Sequence, residues 1–119
     1  MKRTIVIGAS PNSSRYSYKA VNKLIDFGHN AIPLGVKKGF INDVAIINDK
    51  PKIENIDTVT IYIGVKNQEE WIDYVLNLNP KRIIFNPGTE NPAFIKKAEE
   101  KNIEVLQTCT LILLDSGNF

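Results

Sequence analysis

The chain has 119 residues, 43% hydrophobic and 24% charged, which is enough apolar material for one core and too much for a disordered polymer. Apolar runs such as Leu111–Leu114 fall far short of the ~20 residues that span a bilayer. The net charge of +2 conceals a division: residues 1–40 hold seven basic side chains and one acid, Asp26, while the rest is net acidic, so the N-terminal third suits an anionic ligand.

Met1-Lys2-Arg3 has no small-residue cleavage site after it and leads into a strand, Thr4–Gly8, not a signal peptide. Further strand-like runs are Ala31–Leu34, Thr58–Ile63, Arg82–Phe85 and Ile103–Leu106, with a weaker one near Val44–Ile47. Such continuous Ile/Val-rich runs fit a parallel sheet covered on both faces. Helices fall between them. Tyr18, Val21, Leu24 and Ile25 keep helical spacing, and Gly28 is placed to stop that helix in a left-handed conformation. Asn67 is placed to cap a second helix, with Glu69 and Glu70 in its first turn and Ile72, Val75 and Leu76 facing the core. Asn91-Pro92 reads as a cap followed by proline at the first helical position, with Lys96, Lys97 and Lys101 toward the far end. Cys109–Leu114 fits a short helix or a sixth strand equally well. The alternation predicts one α/β domain over 1–119, a Rossmann-like, doubly wound and mostly parallel sheet of five to six strands with helices on both faces.

In such a sheet ligands bind beyond the carboxyl ends of the strands. Four loops meet there: Gly8–Arg15, Gly35–Phe40, Gly64–Asn67 and Asn86–Asn91. In the first, Gly8-Ala9-Ser10 follows the strand directly, and the backbone, the helix start and the hydroxyls of Ser10, Ser13 and Ser14, with Arg15 beyond, suit a phosphate. Ser10 and Ser13 stand where a dinucleotide fingerprint would place its later glycines. The second loop has no acid to bond a ribose diol. It carries Lys37-Lys38 instead, which argues for a ligand with a phosphate on the adenosine ribose, NADP or coenzyme A. Asn86, Pro87 and Gly88 form a turn that either lines the cleft or merely needs a positive φ, and Gly64 either lets a ligand pass close to the strand end or is an ordinary strand-end glycine; all four are candidate ligand-binding residues. His29 lies at the wrong end of the sheet for chemistry, and Trp71 reads as helix packing. Cys109 reads as a small buried thiol, with a mixed disulfide to a ligand thiol as the functional alternative. As the only cysteine it forbids an internal disulfide and fits a reducing cytoplasm; with one histidine, no zinc set of the usual kind is available.

From Ile5-Val6-Ile7-Gly8-Ala9-Ser10 through Phe85-Asn86-Pro87-Gly88 to Thr108-Cys109, nearly the whole chain resembles the small single-domain CoA-binding proteins, which share a Rossmann-like fold with the CoA-binding domain of succinyl-CoA synthetase α subunits. The resemblance implies coenzyme A, its pyrophosphate at the Gly8–Arg15 loop and its adenosine phosphate near Lys37 and Lys38, and it implies that Cys109 closes the final strand. Gly35-Val36 departs from the Asn-Pro that many relatives carry.

The leading expectation is therefore accessory, non-catalytic binding of CoA or an acyl-CoA, since no base, nucleophile and metal set is assembled. The alternatives are a small NADP-dependent oxidoreductase or redox sensor, and a structural or partner-binding subunit. Neither nucleic acid nor membrane is an expected partner. Leu111-Ile112-Leu113-Leu114 suits a homodimer interface or core packing equally.

Overall fold

The computed structural model describes all 119 residues. Strand β1 (Arg3–Ile7) sits inside the sheet, so its apolar side chains are needed on both faces. Ile5 and Ile7 point to one face and Val6 to the other, as a strand's period of two requires. β1 pairs in parallel with β2 (Asn30–Leu34) on one side and with β5 (Thr58–Ile61) on the other. β6 (Arg82–Phe85) and β7 (Glu104–Gln107) follow outward, giving the order β2-β1-β5-β6-β7. Beyond β2 the run near Val44–Ile47 divides. Phe40–Ile41 (β3) and Val44–Ala45 (β4) form a small antiparallel hairpin, and Ile47 makes a single parallel bridge to Leu34. This bridge holds the place of an outer third strand, so the arrangement is the Rossmann order with one strand reduced to a single residue.

Helices cover both faces. α1 (Tyr16–Asp26) and the short α4 (Thr110–Asp115) pack with Val6 and Ala31, whereas α2 (Glu69–Leu78) and α3 (Pro92–Glu100) pack on Ile5, Ile7, Ile83 and Phe85. α1 buries Ser17, Ala20, Val21 and Leu24 and stops at Gly28, whose φ is +84°. Ile25, which shares the helical spacing of Val21 and Leu24, is 40% exposed, because the buried stripe turns toward Ser17 and Ala20. Asn67 does not cap α2. It lies in a 3₁₀ turn, Val65–Asn67, and Gln68 takes the cap position. Asn91 does cap α3, accepting the Phe94 N–H at 3.3 Å ahead of Pro92. The Cys109–Leu114 segment is helical: β7 ends at Gln107, and Cys109 precedes α4 instead of closing a strand. Leu114 of that helix is buried and Ile112 is exposed. No helix is long and apolar enough to cross a membrane.

At the amino ends of the strands, the two chain ends meet. The Lys2 backbone N–H donates to His29 Nδ1 at 3.0 Å, and the Lys2 ammonium donates to the Phe119 carbonyl oxygen. The Phe119 ring lies 4.3 Å from the Arg82 guanidinium carbon and 4.9 Å, edge to face, from the His29 ring. A histidine accepting at Nδ1 is neutral, and its pKa is lowered by burial, then by the amino terminus, Lys2 and Arg82, with Asp57 opposing. The folded value thus lies below the unfolded one, so this contribution to stability is present above the unfolded value of ~6.5 and fades as the pH falls toward the folded value. Denaturant titrations from about pH 7 to about pH 5 should show stability falling with acid in the native protein, and less so in His29→Gln. Identical pH dependence in both would remove His29 from this role.

Candidate ligand-binding cleft

The sheet order reverses between β1 and β5, and a cleft of about 850 Å³ opens there beyond their carboxyl ends. Its wall begins with the loop after β1. Gly8 has φ +92°, and a Cβ on it would stand 3.0 Å from the backbone carbonyl of Tyr62, so glycine is required for both reasons. The N–H groups of Gly8 and Ala9 both donate to the Leu34 carbonyl at 2.9 Å, which ties this loop to the end of β2. These two donors are therefore already committed within the protein.

The remainder of the loop is organised by Asn12. Its Oδ1 accepts the backbone N–H of Ser14 at 3.0 Å and the Ser14 hydroxyl at 2.8 Å, while its own N–H donates to Ser10 Oγ at 3.1 Å. Ser10, Asn12, Ser14 and Arg15 line the cleft, whereas Ser13 is exposed outside it. The open donors lie one step further, at the start of α1. The cap residue Arg15 makes no side-chain capping bond, the first turn has no acid, and the N–H groups of Tyr16, Ser17 and Tyr18 have no acceptor in the protein. Ser17 is 4% exposed, and its hydroxyl takes part in no hydrogen bond. It is not one of the two fully sealed unpartnered atoms, which belong to Tyr62 and Arg82, and it lines the cleft. Position in the loop singles out Ser10, Ser13 and Ser14 but not Ser17. Its place two residues into a helix signals only that it faces the sheet.

The loop after β2 closes against the first. Gly35 would place a Cβ only 2.1 Å from the Ala9 carbonyl oxygen, and Gly39 would place one 2.7 Å from Pro11. Asn48 Nδ2 donates to the carbonyls of Gly35 at 2.9 Å and Lys37 at 3.0 Å, holding the turn from outside. Lys37 lines the cleft; Lys38 is exposed beyond it. Arg15, Lys19, Lys37 and Lys38 form no ion pair, so four unpaired cations stand on this side.

The opposite wall comes from Tyr62, Ile63, Asn67, Glu70 and Trp71 after β5 and from Pro87 and Thr89 after β6. Gly64, Asn86 and Gly88 do not line it. Asn86 is buried below, where Nδ2 donates to Thr60 Oγ1 at 2.7 Å and to the Ile61 carbonyl at 2.8 Å. Its Oδ1 accepts the Thr110 N–H at 2.9 Å, so its amide is committed to the scaffold. Gly88, with φ +91°, is exposed at the turn, and its N–H donates to Glu90 Oε1 at 2.9 Å. Gln68 is fully buried: Nε2 donates to the carbonyls of Ile63 at 2.9 Å and Thr89 at 2.7 Å, and Oε1 accepts from Asn91 at 3.0 Å. This one side chain joins the two loops of the wall. Burial pushes the Tyr62 phenol well above its ordinary value, so it stays protonated under the cleft floor. Cys109 is half-buried and does not line the cleft, and no cluster of three or more His, Cys, Asp or Glu side chains gathers anywhere. His29 is at the far end of the sheet, while Trp71, read from sequence as packing alone, is both buried and part of the wall.

Together these features define a Rossmann-like domain with a cleft at its switch point. The family described as CoA binding domain matches residues 2–115, and the chain belongs to it. A crystal structure of an uncharacterised protein is 47% identical, with a TM-score of 0.98 covering 100% of this chain and 98% of the other. A hypothetical protein from Pyrococcus horikoshii OT3 is 20% identical, with a TM-score of 0.84 over 97% of this chain and 82% of its own. The dinucleotide-forming acetyl-coenzyme A synthetase 1 of Ca. Korarchaeum cryptofilum is 15% identical, with a TM-score of 0.71 over 88% of this chain and 25% of that one, a likeness of fold. No protein of curated function matches the sequence.

The interlocked loops give a direct test of the scaffold. Gly35→Ala forces a methyl group into a backbone carbonyl and should cost about 3 kcal/mol or more, lowering the thermal midpoint by roughly 10 °C. Gly64→Ala meets nothing within 4 Å and has ordinary dihedrals, so it should change stability by no more than about 0.5 kcal/mol. Equal midpoints for the two variants would show that the first two loops are not locked together.

Proposed function

We propose that the protein binds coenzyme A or an acyl-CoA in this cleft, as an accessory binding function. The observation that carries the reading is the start of α1, where first-turn N–H groups and the buried Ser17 hydroxyl open without partners beside unpaired cations. A helix start of this kind favours a multiply charged phosphate, because the peptide dipoles and the free donors act in the same direction. The pyrophosphate of CoA sits there, with Ser10, Ser14, Ser17 and Arg15 around it. The 3′-phosphate of the adenosine ribose lies toward Lys37, with Lys38 acting at longer range from outside the rim. Family membership supports CoA over other nucleotides that carry a ribose phosphate.

Ligand at ~100 times its dissociation constant stabilises a fold by about 2.7 kcal/mol, which for a domain of this length is a midpoint shift of roughly 10 °C. CoA should produce this shift where NAD at matched concentration does not. Equal shifts for both, or none with CoA, would end the assignment. For the adenosine phosphate, the double variant Lys37→Gln/Lys38→Gln should bind CoA about tenfold more weakly, equivalent to 1.4 kcal/mol, with most of the loss from Lys37→Gln. Dephospho-CoA removes the same interaction from the ligand side, so calorimetric titrations of both ligands against both proteins should show losses that do not add. Fully additive losses would move that phosphate away from the lysine pair.

A further inference from the structure

The two sides of the cleft differ in chemistry. Arg15, Lys19, Lys37 and Lys38 all belong to the side formed by α1 and the loop after β2. Across the sheet, the wall from α2 has a charge balance of another kind: the Glu70 carboxylate lies 4.0 Å from the Lys50 ammonium, which itself donates to the Glu70 backbone carbonyl at 2.9 Å. Trp71 is fixed between these groups. The Lys50 ammonium stands 4.7 Å from the indole centroid, and Tyr74 meets the ring edge to face at 5.9 Å. Trp71 is only 7% exposed, yet its indole N–H enters none of the protein's hydrogen bonds. It is not a sealed atom either, since the only two of that kind are on Tyr62 and Arg82. Trp71 is also one of the residues that line the cleft. A rigid aromatic edge with one free donor suits a neutral, partly apolar segment that presents a carbonyl acceptor.

We propose that Trp71 is a specificity-determining residue: its indole N–H donates to an amide carbonyl of the uncharged pantetheine arm, while the phosphates occupy the α1 side. The assignment rests on the CoA reading, and it gives the cleft a direction, nucleotide toward Lys37 and thiol arm toward Trp71, Asn67 and Thr89. An unsatisfied donor at this wall disfavours ligands that reach it with nothing to accept the hydrogen bond.

The test uses two ligands, CoA and adenosine 3′,5′-bisphosphate, which keeps a nucleotide with two phosphates and lacks the arm. Trp71 is the only tryptophan, so fluorescence excited at the red edge, where the four tyrosines do not absorb, reports on this wall alone. CoA should change that emission and the bisphosphate should leave it unaltered. Trp71→Phe, which keeps an aromatic ring and removes the donor, should weaken CoA about fivefold and the bisphosphate by less than about twofold. The fluorescence comparison needs no variant, so it decides the matter even if Trp71→Phe fails to fold. A native protein that binds the bisphosphate and CoA with no emission change from CoA, or a variant that loses both ligands equally, overturns the role of Trp71 and leaves the CoA reading standing. A native protein that binds neither ligand overturns both.

Discussion

The carbonyl of Leu34 is the point on which the upper end of this molecule depends. It accepts the N–H groups of Gly8 and Ala9 together, and the next peptide approaches Ala9 so closely that only glycine fits at position 35. Two adjacent strands thereby deliver their loops as one unit. The alternative, two independent loops above the sheet, would have to be ordered by the ligand at an entropic cost for each residue fixed. Here the order precedes the ligand, and Asn48 on one side and Asn12 on the other complete it from within the protein.

The far wall is ordered by a different device. Gln68 and Asn86 are buried amides with protein partners for both their N–H and carbonyl groups, and they link the ends of β5 and β6 to α3 and α4. A buried amide with a missing partner costs ~1–3 kcal/mol, so such a network tolerates few alternative geometries. One wall is thus shaped by backbone contact with glycine, the other by committed side-chain amides. What these systems leave without protein partners around the cleft is the start of α1, the Ser17 hydroxyl and the cations of the α1 side.

Sequence patterns carried the fold well where a residue's role is local. The Ile/Val runs marked all five sheet strands, most plainly the inner ones, because a strand covered on both faces is largely apolar, and Asn91-Pro92 marked a helix start because a cap acts over three residues. The third-strand region was legible only as a weak run, since a single bridge at Ile47 leaves no periodicity to read. For the cleft, position in a loop predicted the lining by Ser10, Ser14, Arg15 and Lys37. It could not separate these from Ser13 and Lys38, because the direction of a side chain in a loop depends on turn geometry that composition does not encode. Asn86 was read as a residue that either lines the cleft or belongs to its turn, and it proved to be scaffold. Trp71 reads from sequence as core and is core and wall together, because helical spacing reports burial and not what else a buried side chain borders.

The contact between Lys2 and Phe119 has an architectural consequence. Both ends of the chain emerge at the amino ends of the strands, on the opposite side of the sheet from the cleft. A fold whose ends adjoin each other and avoid its cleft can be joined to other domains, or have its ends linked and a new opening made elsewhere, without obstructing that cleft. The occurrence of the same fold as about a quarter of a long synthetase chain is in keeping with this geometry, which allows one unit to stand alone or be built into something larger.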